Sequence, residues 1–203
     1  MPQLSLTTDR LGVNYSTATT GISINLAASI PNGTITVGSS RVSFSSIEQF
    51  NIDGTYYNDT LIGSNGNDTL NVSSGNDTLT GGSGNDSFTY FTGSPFDSLN
   101  VGLDTISDFH KVAGDTDKIG LSKQIFTAIT SNVGTGFSKK SEFAIVANDA
   151  AAATNTAFIV YSQGTGNLFY NQNGALAGLG IGAEFATLTG HPLLAATDFI
   201  IEA

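Results

Sequence analysis

Asn58-Asp59-Thr60-Leu61, Asn67-Asp68-Thr69-Leu70, Asn76-Asp77-Thr78-Leu79 and Asn85-Asp86-Ser87-Phe88 are copies of one phrase, its aspartates nine residues apart each time. Glycine stands two residues before the last three aspartates, at Gly66, Gly75 and Gly84. The fourth copy, Gly81-Gly82-Ser83-Gly84-Asn85-Asp86-Ser87-Phe88-Thr89, is a full Gly-Gly-x-Gly-x-Asp-x-apolar-x unit. A short fixed period marks a solenoid, in which each unit buries its apolar side chain by stacking on its neighbours. The Gly-rich hexapeptide turns sharply, because glycine accepts positive φ without steric cost. The next three residues form a short strand whose central side chain points inward. With two nonapeptides per coil, Leu61 stacks on Leu79 along one wall and Leu70 on Phe88 along the other. Coiling then brings Asp59 beside Asp77, and Asp68 beside Asp86.

Carboxylates a few ångströms apart repel unless a cation neutralises them. Ca²⁺ takes six to eight oxygens, and these turns offer carboxylates and backbone carbonyls; Mg²⁺ demands a tighter octahedron and keeps its waters. The bland rival is a metal-free solenoid whose aspartates only cap turns, a task Asn or Ser performs equally well. Composition leans the same way. Of the 17 acidic residues 13 are Asp, the shorter side chain that tolerates turns and reaches metals near the backbone. With 24 Gly in 203 residues, short strands and tight turns are favoured over helices. Cysteine is absent, which excludes a disulfide framework and a thiolate zinc site. Only 7 Lys and Arg oppose the acidic residues, so nucleic acid is not an expected partner. No segment approaches the ~18 apolar residues of a membrane span. The opening MPQLSLTTDR lacks the basic stretch and apolar run of a cleaved signal peptide, so export is expected by another route, or the chain belongs to something longer.

The repeat resembles the nonapeptide of RTX, or hemolysin-type, calcium-binding proteins, substrates of bacterial type I secretion. That nonapeptide is the family's defining signature. The resemblance implies Ca²⁺ as the ion and ligands drawn from two stacked turns. One implied set is Ser64, Gly66, Asp68, Gly81, Ser83 and Asp86. A second is Thr55, Tyr57, Asp59, Val72, Ser74 and Asp77, where Tyr57 replaces a glycine and Val72-Ser73 replaces Gly-Gly. Downstream, Asp104-Thr105-Ile106-Ser107-Asp108-Phe109 and Asp117-Lys118-Ile119-Gly120-Leu121-Ser122 are similar to segments that close such rolls. By that likeness Asp104 and Asp108 complete a last site with Gly82, Gly84 and Asp86. The tail Asp198-Phe199-Ile200-Ile201-Glu202-Ala203 resembles the uncleaved C-terminal secretion signal of the family, and reads equally as a terminal strand.

The expected fold is therefore all-β: a short parallel β-roll over residues 51–95, an N-terminal β cap over 1–50 and a C-terminal β-rich cap over 96–203. Alternation at Ile22-x-Ile24-x-Leu26, Ile35-x-Val37 and Val42-x-Phe44 gives strands in the first cap, with Pro31-Asn32-Gly33 as a turn. Ala157–Tyr161 and Asn167–Tyr170 flank Gln163-Gly164-Thr165-Gly166 as a hairpin. Four inward side chains in two coils are too few to fold a roll alone, so bound metal is expected to stabilise it.

The expected function is calcium binding outside the cell or at its surface, the roll folding after export. No pattern places a nucleophile near a base, and His110 and His191 read as bystanders, so no enzyme is expected. The rival is a self-associating surface-layer, matrix or adhesion component with open strand edges. Ice binding is disfavoured, because Tyr56, Asn65, Ser74 and Ser83 make too short and irregular a ladder. The Asn-x-Thr glycosylation sequons at Asn58, Asn67 and Asn76 fall out of the repeat itself.

Overall fold

The computed structural model describes residues 8–27, 32–174 and 178–203. In chain order the first strands are β1 (Arg10–Asn14), β2 (Ser23–Asn25), β3 (Gly33–Val37), β4 (Ser40–Phe44), β5 (Gln49–Asp53) and β6 (Thr60–Ile62). Then come β7 (Thr69–Val72), β8 (Thr78–Thr80), β9 (Ser87–Tyr90), β10 (Asp104–Ile106), β11 (Lys111–Val112) and β12 (Asp115–Thr116). The last are β13 (Lys118–Ser122), β14 (Phe143–Val146), β15 (Ile159–Ser162), β16 (Asn167–Tyr170), β17 (Glu184–Leu188) and β18 (Phe199–Glu202). Among the described residues helix is confined to single turns, including α1 (Ser98–Val101) and α2 (Asp149–Ala152).

The chain winds between two walls. One is a six-stranded sheet, β1-β5-β7-β9-β13-β18, in which every neighbour is parallel. The other is eight-stranded, β14-β15-β16-β17-β10-β8-β6-β2, parallel from β2 through β17. Successive repeats alternate between the walls, as two units per coil require. Leu61 pairs with Leu79 on one wall and Leu70 with Phe88 on the other. All four are buried.

The core of four side chains expected from the repeat is too small. One row runs Ile24, Leu61, Leu79, Ile106 and Leu188 across neighbouring strands. The facing row runs Ile52, Leu70, Phe88, Ile119 and Phe199. Every one of these is buried. The rows lengthen because β2 and β5 precede the repeats as coils of the same ladder, while β10, β13, β17 and β18 follow them. The parallel ladder thus crosses both expected boundaries, and β5 itself spans residue 50. An aromatic cluster extends the core sideways, with Phe126 edge-on to Tyr170 at 5.2 Å and Tyr90 edge-on to Phe185 at 5.1 Å.

β15 and β16 form the expected antiparallel hairpin, closed by Gly166 at φ 79°. The tail is a strand, β18, parallel to β13. In the first 50 residues β3 and β4 stand apart as an antiparallel pair, whereas β1 and β2 join the roll's walls. Gly33 of the expected turn opens β3, while Pro31 lies outside the described residues. Among the described residues no helix is long and apolar enough to cross a membrane.

Candidate metal centres

The Asn-Asp pair in each repeat stitches the coils in two opposite directions. The amide N–H of Asp59 donates to Asp77 Oδ1 at 2.8 Å, and that of Asp68 to Asp86 Oδ1 at 2.7 Å. Each aspartate therefore reaches back one coil. The asparagines reach forward: Asn58 Oδ1 accepts from Asn76 N at 2.9 Å, and Asn67 Oδ1 from Asn85 N at 2.8 Å. An acceptor at both positions satisfies turn N–H groups that the three-residue strands leave over.

The aspartates form two rows of three. Asp77 N donates to Asp104 Oδ1 at 2.8 Å, which makes Asp59, Asp77 and Asp104 one row. Asp86 N donates to Asp117 Oδ1 at 2.9 Å, which makes Asp68, Asp86 and Asp117 the other. The rows stop where strand register replaces the carboxylate. Ile22 N donates to Asp59 at one end, and Ala186 pairs with Asp104 at the other. Phe50 N likewise donates to Asp68 at the start of the second row.

This corrects the grouping of Asp104 with Gly82, Gly84 and Asp86. Pairing of Thr105 with Thr78 puts β10 on the wall of β8, so Asp104 stacks on Asp77. Asp108 does reach the last Gly-rich turn, accepting from Gly81 N at 2.8 Å and Gly82 N at 2.9 Å. Asp117 was not among the expected ligands. Its signal was present, since Asp117-Lys118-Ile119 and Asp104-Thr105-Ile106 repeat the Asp-x-apolar phrase of Asp59-Thr60-Leu61.

The other expected positions meet as coiled turns should. Ser83 N donates to the Ser64 carbonyl at 3.2 Å, and Ser74 N to the Thr55 carbonyl at 3.4 Å. A Cβ on Gly84 would lie 2.6 Å from the Gly66 carbonyl oxygen, and one on Gly75 would lie 2.6 Å from the Tyr57 carbonyl carbon. Val72 is buried in β7, and its carbonyl accepts from Phe91 N at 3.5 Å. Where a repeat has glycine five residues before its aspartate, the carboxylate crowds it: a Cβ on Gly81 would sit 2.3 Å from Asp86 Oδ2, and one on Gly63 would sit 2.7 Å from Asp68 Oδ2, whereas Val72 holds that position before Asp77.

The electrostatics fit a cation. Asp59, Asp68, Asp77, Asp86, Asp104 and Asp117 are each at most 2% exposed. Asp77 Oδ2 and Asp86 Oδ2 are buried without a hydrogen-bond partner. Asp104 Oδ2 and the buried Tyr90 hydroxyl lie side by side, outside hydrogen-bonding geometry. Burial pushes Asp77 up to about 7, helped by the charge of Asp59. Burial pushes Asp86 up to about 8, and the carboxylates of Asp117, Asp68 and Asp108 add to it. Asp117 rises to about 6, chiefly by burial, and Asp104 is held well above the usual carboxylate range by burial and by Asp77. The Oδ2 atoms of Asp59, Asp68 and Asp117 do have partners, accepting from Thr55 N at 2.6 Å, Ser64 N at 2.5 Å and His110 N at 2.7 Å. Buried, like-charged oxygens with a spare lone pair match hard, oxygen-seeking Ca²⁺.

Residues 53–88 match the family model of the RTX calcium-binding nonapeptide repeat, in 4 copies. No curated protein matches the chain.

Proposed function

We propose, from the premise that this chain is an RTX-type calcium-binding repeat protein, that its roll folds outside the cell on binding Ca²⁺, after export by type I secretion machinery. The observation that carries this reading is the pair of unpartnered carboxylate oxygens on Asp77 and Asp86, in rows of buried like charges. Each gap between stacked aspartates would take one ion, held by the two carboxylates and by carbonyls of the turns around Thr55, Ser64, Gly66 and Ser83. The aspartate pairs are Asp59–Asp77, Asp77–Asp104, Asp68–Asp86 and Asp86–Asp117.

Taking Kd on the order of 0.1 mM, as for extracellular calcium modules, and about 1 mM external calcium, each ion adds ~1.4 kcal/mol. Four such ions supply roughly 6 kcal/mol, comparable to the whole stability of a small domain. At cytosolic calcium that contribution nearly vanishes and the aspartates repel, which keeps the chain export-competent. The resident ion is structural in this reading, and the chain itself catalyses nothing.

Far-UV circular dichroism during a calcium titration tests it. The expected result is a cooperative gain of β-signal that Mg²⁺ fails to reproduce. An identical spectrum in chelator and in calcium would discard metal-driven folding. A second reading, self-association at a cell surface, is favoured by β14, a terminal strand of its sheet with Ile145 46% exposed. Mass measurement with and without calcium separates the two, since only the second requires a multimer.

A further inference from the structure

The short antiparallel pair β11–β12 leaves the roll and returns to it, and it gathers three side chains unlike those of the turns. Its base is fixed. His110 N donates to Asp117 Oδ2 at 2.7 Å, Asp117 N donates to the His110 carbonyl at 3.0 Å, and Thr116 N donates to Asn85 Oδ1 at 2.8 Å. On this base one ligand atom each from His110, Asp115 and Asp117 lies within 4.8 Å of the other two. His110 Nδ1 stands 3.2 Å from Asp115 Oδ1. Both atoms are buried, yet neither makes a hydrogen bond of ordinary geometry.

At that separation the two atoms form an ion pair when the imidazole is protonated, and when it is neutral they are spaced as two ligands of one small ion. Zinc bonds of 2.0–2.2 Å at tetrahedral angles set neighbouring ligand atoms about 3.4 Å apart. Calcium is the wrong occupant, because it takes oxygen ligands at longer range. The nearest cation in sequence is turned away: Lys111 Nζ binds Asp198 Oδ2 and the Leu193 carbonyl, both at 2.5 Å. The imidazole side chain is 42% exposed, which places the cluster at the surface of the roll.

We propose that His110, Asp115 and Asp117 form a Zn²⁺ site, chemically distinct from the calcium rows. Because Asp117 also accepts from Asp86 N, the zinc clasps the β11–β12 hairpin to the end of an aspartate row. The site shares Asp117 with the last gap of an aspartate row and adds the imidazole of His110, which no row contains, so substitution of His110 separates zinc binding from the calcium reading.

The test is calorimetric titration of Zn²⁺ into the full chain held in saturating calcium, with Co²⁺ absorption as a second readout. One additional equivalent of Zn²⁺ is expected, with intense visible Co²⁺ bands of a low-coordinate complex. His110→Ala should weaken zinc at least ~10-fold while the calcium response stays as in the parent. His110→Gln, which keeps the bulk but ligates poorly, gives the same answer should the alanine variant fold badly. Absence of zinc binding in saturating calcium overturns the proposal. So does equal zinc binding by parent and His110→Gln, because the ion would then belong to the aspartate rows.

Discussion

Asp86 serves two purposes through two different oxygens. Oδ1 receives the Asp68 amide at 2.7 Å, and Oδ2 remains buried without a partner. Asparagine can keep the first task and not the second, so Asp86→Asn separates them. The expected outcome is a calcium affinity at least ~10-fold weaker by calorimetry. In chelator at pH 8 the variant should at the same time show at least as much β-signal as the parent by circular dichroism, because one buried like charge is gone. Loss of both would mean that the turn itself needs the carboxylate. Gly82 is constrained from another direction, at φ 100°, with a Cβ placed 1.9 Å from the Ser64 carbonyl oxygen. Gly82→Ala should cost about 3 kcal/mol or more in denaturant melts, from backbone strain plus the pushed-apart turn. At this scale the sequence was readable wherever the phrase was intact. Asp59, Asp68, Asp77 and Asp86 fall where the nine-residue spacing puts them. Asp104 stacks on the other row from the one its likeness to roll-closing segments implies, and Asp117 extends a row at a spacing the period does not mark.

The late aspartates leave the period because of the elements between them. Within the repeats, stacked aspartates are 18 residues apart, whereas Asp77 to Asp104 spans 27 and Asp86 to Asp117 spans 31. The first gap holds α1 and its flanking loops, and the second also holds the β11–β12 hairpin. Loop-closure entropy grows only slowly with length, so an insertion breaks the written period while the spatial register survives. Register is then set by side chains, with Ile106 on Leu79 and Ile119 on Phe88. What remained hidden was the partner of each late strand, because any apolar triplet can close either wall. Strands of three or four residues depend on such contacts more than on their few ladder bonds. Phe88→Ala should therefore cost about 3–5 kcal/mol, and Leu79→Ala about 2–5 kcal/mol. Equilibrium unfolding in saturating calcium would measure both. A cost below 1 kcal/mol at either position would contradict the stacked rows.

At the scale of the whole molecule, the ladder runs from β1 to β18 without a break at residue 50 or 95. A fragment covering 51–95 should accordingly stay unfolded by circular dichroism even in millimolar calcium, whereas the full chain folds. The charge state of the two rows makes a second prediction. Folded Asp117, Asp77 and Asp86 titrate near about 6, 7 and 8, against 3.8 for ordinary aspartate. Between about pH 4 and pH 8 the calcium-free folded chain holds protons that the unfolded chain has released. Its stability must then fall as pH rises through that window. Metal-stripped protein should melt at a higher temperature at pH 5 than at pH 8, with the opposite order in saturating calcium. Calcium binding near neutrality should also release protons, measurable as a dependence of binding heat on the buffer.

The alternation of successive repeats between two walls gives the chain something like a reading frame. Deleting 18 residues inside the repeats returns every later strand to the sheet it left, and the roll is merely one coil shorter. Deleting nine sends every later strand to the opposite wall, exchanging the two aspartate rows and presenting β14–β17 to the wrong edge. Shortening by a single unit should therefore be more damaging than shortening by two.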